Sequence, residues 1–124
     1  MSIRRVVPNL LTPDMDASRT FYGEFLGLDL VMDLGWIVTY ASPSNPTAQI
    51  SISPGEALVG QQMRPYLSIE VDDVDAVHAG AVARGYDIVH PLTNEPWGVR
   101  RFFVVEPGEL VLNILGHTPL GDGG

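Results

Sequence analysis

Asp14-Met15-Asp16-Ala17 leads through a helix-like stretch to Gly27-Leu28-Asp29-Leu30-Val31, and Asp73-Val74-Asp75-Ala76 leads through another to Gly85-Tyr86-Asp87-Ile88-Val89. The shared frame is Asp-apolar-Asp-Ala, about ten residues, then Gly-apolar-Asp-apolar-Val. Asp16 and Asp75 are 59 residues apart, Gly27 and Gly85 only 58, so the second copy is one residue shorter. Two such units nearly fill the 124 residues. Solenoid arrays need about three or more units, so the expectation is a pair of modules facing each other across a shared core. The simpler alternative is chance likeness between two Asp-capped helices. Clefts between packed units are where ligands tend to bind.

Each module reads as strand, helix, then three strands. Ile3–Leu11 reads as a strand whose Pro8 fits an edge, a bulge or an exchanged position. Asp14 or Asp16 caps a helix in which Phe21, Phe25 and Leu28 recur at near-helical spacing, and Gly27 stops it. Strands are expected at Leu30–Met32, Trp36–Tyr40 and Ala48–Ser53, with Gln49, Ser51 and Ser53 on one face and Ile50 and Ile52 on the other. Residues 54–64 read as the linker. The second module starts with a strand at Tyr66–Val71. A helix over 74–84, capped by Asp72 or Asp73 and stopped by Gly85, follows it. Strands then come at about 87–90, 101–106 and 110–115, and a loose tail at 119–124. The fold class is therefore α+β: two tandem βαβββ modules, about 1–58 and 63–118 of one domain, forming a cupped mixed β-sheet with the helices outside.

Composition narrows the chemistry. With no cysteine there are no disulfides, thiolate nucleophiles or thiolate zinc sites. All seven basic residues are arginine, so a lysine Schiff base is excluded. A formal charge of −8 has the wrong sign for a nucleic-acid partner. It favours cationic ligands weakly, or simply keeps the chain soluble. No apolar run approaches the roughly 20 residues of a membrane span, so no membrane association is expected. Met1–Arg5 has no apolar secretion-signal core, and a cytoplasmic location is expected.

The repeated module resembles the vicinal oxygen chelate superfamily, which contains glyoxalase I, extradiol dioxygenases and bleomycin resistance proteins. The resemblance is carried by Asp14…Phe21-Tyr22…Leu26-Gly27-Leu28, by Val71-Asp72-Asp73-Val74-Asp75-Ala76, and by Glu95-Pro96-Trp97-Gly98-Val99-Arg100-Arg101-Phe102 followed by Glu106-Pro107-Gly108. Pro96-Trp97-Gly98 and the Val7-Pro8 start look most like bleomycin resistance proteins. The Glu106-Pro107-Gly108 turn reads one residue shorter than the family's Asp-Pro-x-Gly, which bears on the register of the last strand. The resemblance also implies a homodimer.

The superfamily's enzymes hold a divalent metal with His, Glu or Gln, two from each module. By motif those positions fall here on Val7, on Ser51 (or Gln49), on Tyr66 and on Asn113. Val cannot ligate, and the others are poor ligands for a divalent ion without imidazole or carboxylate companions. No metal and no cofactor are therefore expected. His78, His90 and His117 share no ligand spacing and read as surface or packing residues; a site using Glu70 and a histidine has no supporting motif. The Asp pairs at the helix starts read as caps rather than as acid–base catalysts, and no catalytic residue is assigned.

What remains is a candidate ligand-binding face: Val7, Asn9, Trp36, Tyr40, Gln49, Ser51, Tyr66, Ser68, Trp97, Arg100, Phe103 and Asn113, with Val38 between Trp36 and Tyr40. An aromatic and amide lining suits a planar or amphiphilic molecule held by stacking and a few hydrogen bonds. Of Arg100 and Arg101, on opposite faces of a strand, one would meet a ligand anion or the Glu95 carboxylate. Three functions follow. One is a metal-free protein that sequesters a small organic molecule, as bleomycin resistance proteins do with drugs. Another is a superfamily lyase, isomerase or dioxygenase. The third is a dimeric domain with a vestigial or regulatory pocket.

Overall fold

A computed structural model describes residues 3–56 and 65–117. The expected linker from residue 57 to 64 and the expected tail lie outside the described residues. The chain divides into two compact units, residues 1–58 and 59–124.

In the first unit β1 (Asn9–Thr12) is followed by α1 (Met15–Arg19), which runs on into a π-helical turn over Thr20–Phe25. Then come β2 (Asp29–Asp33), β3 (Val38–Ala41) and β4 (Gln49–Pro54). The strands form one mixed sheet in the order β1-β4-β3-β2, with β1 parallel to β4 and the other pairs antiparallel. The second unit repeats the plan: β5 (Pro65–Glu70), α2 (Val74–Ala83), β6 (Ile88–Glu95), β7 (Val99–Val105) and β8 (Val111–His117), in the order β5-β8-β7-β6. Both units are βαβββ modules.

The repeated frame acts through its caps. Asp14 accepts from the Ala17 amide and Asp73 from the Ala76 amide, each at 3.0 Å, so equivalent carboxylates satisfy otherwise free helix N–H groups. Gly27 and Gly85 end the helices at φ 71° and 75°, where a side chain would be strained. After α2, Tyr86 N–H donates to Ala81 and Gly85 N–H to Val82, a paired closure of the last turn. The extra residue of the first copy goes into the π turn. There Leu26 N–H reaches back five residues to Phe21 at 2.9 Å, and a widened turn accommodates one more residue than an α-helix would.

Each helix covers one face of its own sheet. In the first unit that face carries Leu10, Val38, Tyr40, Ile50 and Ile52, all buried. A Cβ at Gly23 would sit 3.3 Å from the Tyr40 ring, so the helix backbone approaches the ring closely. In the second unit Phe102, Val104, Leu112 and Ile114 are buried, and Phe102 meets His78 of α2 edge-on at 5.0 Å between centroids. Burying such a side chain contributes about 1.5–3 kcal/mol each.

Two expectations about elements change, and the last hairpin keeps its expected turn. The first strand is shorter than Ile3–Leu11, because Pro8 has no N–H to give; only Val6 bridges to Ala48 ahead of it. β1 is nonetheless an edge strand, which accommodates that proline. β6 runs through Pro91 to Glu95 instead of ending near His90, again at an edge, with register shifts on both sides of His90. The last hairpin has four residues between β7 and β8 in addition to Leu110. Its Glu109 N–H donates to Glu106 at 2.8 Å, and the strands stay in step at Val105–Val111. The left-handed position falls on Glu109, φ 67°, one residue after Gly108. A non-glycine there costs roughly 1–2 kcal/mol. Glu109→Gly should therefore stabilise the protein by about 0.5–1 kcal/mol once the looser unfolded chain is counted. Chemical denaturation checks this, and an unchanged or lower midpoint would refute it.

Candidate functional site

The face opposite each helix carries the polar side chains. In the first unit, register aligns Asn9, Ser51 and Thr39 across β1, β4 and β3. The Thr39 and Ser51 hydroxyls bond at 2.7 Å and are buried. Gln49, on the same strand face, takes a 2.6 Å bond from Arg5 and gives one to the Pro46 carbonyl. Val7 lies ahead of β1, half-buried.

Three residues expected on that face are not there. Tyr40 pairs with Ile50, and Val38 with Ile52, so both point at the helix. The phase of alternation in β3 is the reverse of that expected, and Thr39 holds the place beside Ser51. Trp36 is not in a strand either: it sits in the β2–β3 loop at 64% exposure, because Gly35 at φ 87° makes the turn and β3 starts only at Val38.

In the second unit, register aligns Ser68, Asn113, Phe103 and His90 across all four strands. Asn113 Nδ2 donates to Ser68 Oγ at 3.1 Å. Asn113 is only 9% exposed, and its Oδ1 is buried with no hydrogen-bond partner among the described residues. Turning the amide over would only exchange the orphan, since Ser68 can donate as well as accept. Tyr66 is exposed at a register shift between Pro65 and Leu67.

Beside this row lies a charged and aromatic cluster. Arg101 Nε donates to Glu95 Oε2 at 2.8 Å, and its guanidinium lies over the rings of Trp97 and Phe103. His90 stacks on Phe103 at 4.7 Å, bonds the Pro91 carbonyl through Nδ1, and holds Nε2 3.6 Å from Glu95. Trp97 stands in the β6–β7 turn, closed by Gly98 N–H to Glu95 at 3.1 Å.

Arg100, expected on the candidate face, lies on the other side of the strand. It faces α2, with Nη2 2.8 Å from Asp75 and Nη1 3.1 Å from Asn94. Arg101 is the one on the Asn113 face. Arg100 bound to Asp75 holds that carboxyl below its usual range, and Asp75 raises Arg100 in turn. A lowered folded-state value means the contribution is full above the unfolded value and is lost as pH falls through the folded one. In a carboxyl NMR titration Asp75 should titrate below an ordinary aspartate, and Arg100→Gln should bring it back up. An unchanged titration would refute the pair.

The superfamily's metal can be tested on the residues themselves. Val7 and Ser51 (or Gln49, which is bonded to Arg5 and the Pro46 carbonyl) in one unit and Tyr66 and Asn113 in the other offer neither imidazole nor carboxylate. Glu70 and His117 bond each other at 2.9 Å on an exposed edge, and among the described residues no three His, Cys, Asp or Glu side chains come together. This donor set does not fit the superfamily's divalent ion.

Two βαβββ modules, each with its helix on one sheet face, define the vicinal oxygen chelate class of fold. Residues 3–114 match the family described as "Glyoxalase/Bleomycin resistance protein/Dioxygenase superfamily", and the chain belongs to it. No curated protein sequence matches the chain. Among solved structures it is similar to the fosfomycin resistance protein FosX from Mesorhizobium loti (12% identity, all of both chains, TM-score 0.76). It is similar to TioX from Micromonospora sp. ML1 (20% identity, 91% of this chain and 98% of that one, TM-score 0.73). A glyoxalase/bleomycin resistance protein/dioxygenase from Nocardioides also matches (19% identity, 100% and 88%, TM-score 0.68). At these identities the likeness is one of fold. No helix among the described residues is long and apolar enough to cross a membrane.

Proposed function

We propose that this chain is a metal-free small-molecule-binding protein that sequesters a planar ligand bearing N–H donors, the chemistry of a planar or cationic antibiotic. The observation that carries this reading is the buried Asn113 Oδ1, to which no described residue offers a donor. An unmade bond at a buried acceptor costs about 1–3 kcal/mol, which a ligand N–H recovers. The ligand reaches it from the β5 edge, where Ser68 is exposed. Phe103 supplies aromatic surface beside it, and Trp97 lies farther along the same face against Arg101.

A thermal-shift screen of planar and cationic antibiotics tests the reading. A ligand at 100 times its Kd adds about 2.7 kcal/mol to stability; no shift from any member would count against sequestration. With a hit in hand, Trp97→Ala should weaken binding by about 1–3 kcal/mol, as removal of a stacking ring does for nucleic-acid bases. Unchanged affinity in a folded variant would remove Trp97 from the site.

One observation favours the alternative, a superfamily enzyme. The Pro91 carbonyl can only accept, so His90 Nδ1 carries the hydrogen and Nε2 of the neutral ring is a proton acceptor. Recovering the bound ligand chemically unchanged after long incubation would exclude that role.

A further inference from the structure

Glu95 and two rings hold the Arg101 guanidinium while leaving its outer edge unused. Nε is engaged by Glu95 at 2.8 Å. The guanidinium carbon lies 5.2 Å from the Trp97 ring centroid and 4.8 Å from that of Phe103. The side chain is 23% exposed. Neither Nη group has a partner among the described residues. A guanidinium carries five N–H donors in a planar fork that matches a carboxylate, and Glu95 takes only the Nε side. Arg100, next in sequence, shows the contrast: its Nη groups are spent on Asp75 and Asn94.

We propose that Arg101 is an oxyanion subsite, and that the ligand of this face is an aromatic carboxylate that also carries an N–H donor. This rests on the binding reading given above and narrows it to planar ligands with an acidic end, setting the purely cationic ones aside. Arg101 and Asn113 lie on one sheet face as diagonal neighbours, since Phe103 pairs with Asn113 and Arg101 with Leu115. Diagonal positions are about 7–8 Å apart, with the Phe103 ring on the same face. A planar molecule acidic at one end and amino-bearing at the other engages all three. Glu95 cancels one charge, so the gain comes from directed hydrogen bonds rather than net attraction. The chain's overall −8 charge is screened beyond about 8–10 Å and acts weakly at this range.

The probes are 4-aminobenzoate and its neutral isostere 4-aminobenzamide, titrated calorimetrically and by the NMR shifts of the Trp97 indole and Asn113 amide. The carboxylate should bind about ten- to a hundredfold tighter, as charge-assisted bonds would give. Arg101→Gln should erase that preference, weakening the carboxylate far more than the amide. Arg101→Lys, which keeps the charge without the fork, should retain only part of it, and serves as the test if the Gln variant fails to fold. Equal affinity of the two probes, or a preference that survives in Arg101→Gln, overturns the subsite and leaves the binding face standing. Absence of any shift at Trp97 and Asn113 with either probe at millimolar concentration overturns the subsite and counts against the face itself.

Discussion

Phe102→Ala should cost about 3–5 kcal/mol of folding stability, the range for removing a buried aromatic ring. Phe102 is fully buried, sits opposite Ile114 in the sheet and meets His78 of α2 edge-on at 5.0 Å. Three losses combine in one substitution: the transfer free energy of the ring, the cavity it leaves, and the ring pair, itself worth about 0.5–1.5 kcal/mol. A small domain commands only about 5–15 kcal/mol in total, so the variant should sit near the edge of folding. In urea the midpoint should fall with little change of slope. Phe102→Leu, which retains apolar bulk, should recover part of the loss. A cost below about 1 kcal/mol for the alanine variant would mean that α2 is not anchored to β7 through this ring.

The elements were more legible in the sequence than the faces they present. Asp14, Asp73, Gly27 and Gly85 mark helix ends because capping and left-handed closure depend on local chemistry, which a sequence displays directly. Even the one-residue difference between the copies was visible, although only the hydrogen bonding shows that a π turn takes it up. Strand phase is different. Val38, Thr39 and Tyr40 are all buried, so apolar alternation cannot say which of them faces the helix; the pairing of Thr39 with Ser51 decides it. Arg100 and Arg101 are adjacent and alike, and only the hairpin register, with Thr93 opposite Arg101 and Asn94 opposite Arg100, separates them. That hairpin was within reach: a β-turn at Pro96-Trp97-Gly98 would have placed Glu95 and Arg101 on one face. A strand ending near His90 does not reveal it; β6 continues because an edge strand tolerates Pro91. His90 shares the Phe103 face only because β6 runs on past it.

Asn113→Leu should act in opposite directions on stability and on binding. The substitution removes an amide whose Oδ1 is buried without a partner among the described residues and puts in its place a side chain with the same branching and number of heavy atoms, though somewhat bulkier. Leaving such a group unsatisfied costs about 1–3 kcal/mol, whereas an apolar replacement of like shape is neutral or better. The freed partner, Ser68, is exposed and can turn to water, so no new orphan is created. Folding stability should therefore rise by about 1–2 kcal/mol. Affinity for any ligand found in the antibiotic screen should fall by about as much, because the ligand N–H then meets a methyl group and loses its bond. A residue kept only for packing predicts no such opposition: its replacement would move stability alone. Measuring unfolding in urea and ligand titration on the same two proteins separates the cases. A variant that is more stable and still binds fully would show that the orphaned oxygen is no part of the site, and would shift the search for the ligand's contacts to Arg101 and Trp97. Such a stability–function opposition is what a binding group held unsatisfied in the free protein must produce.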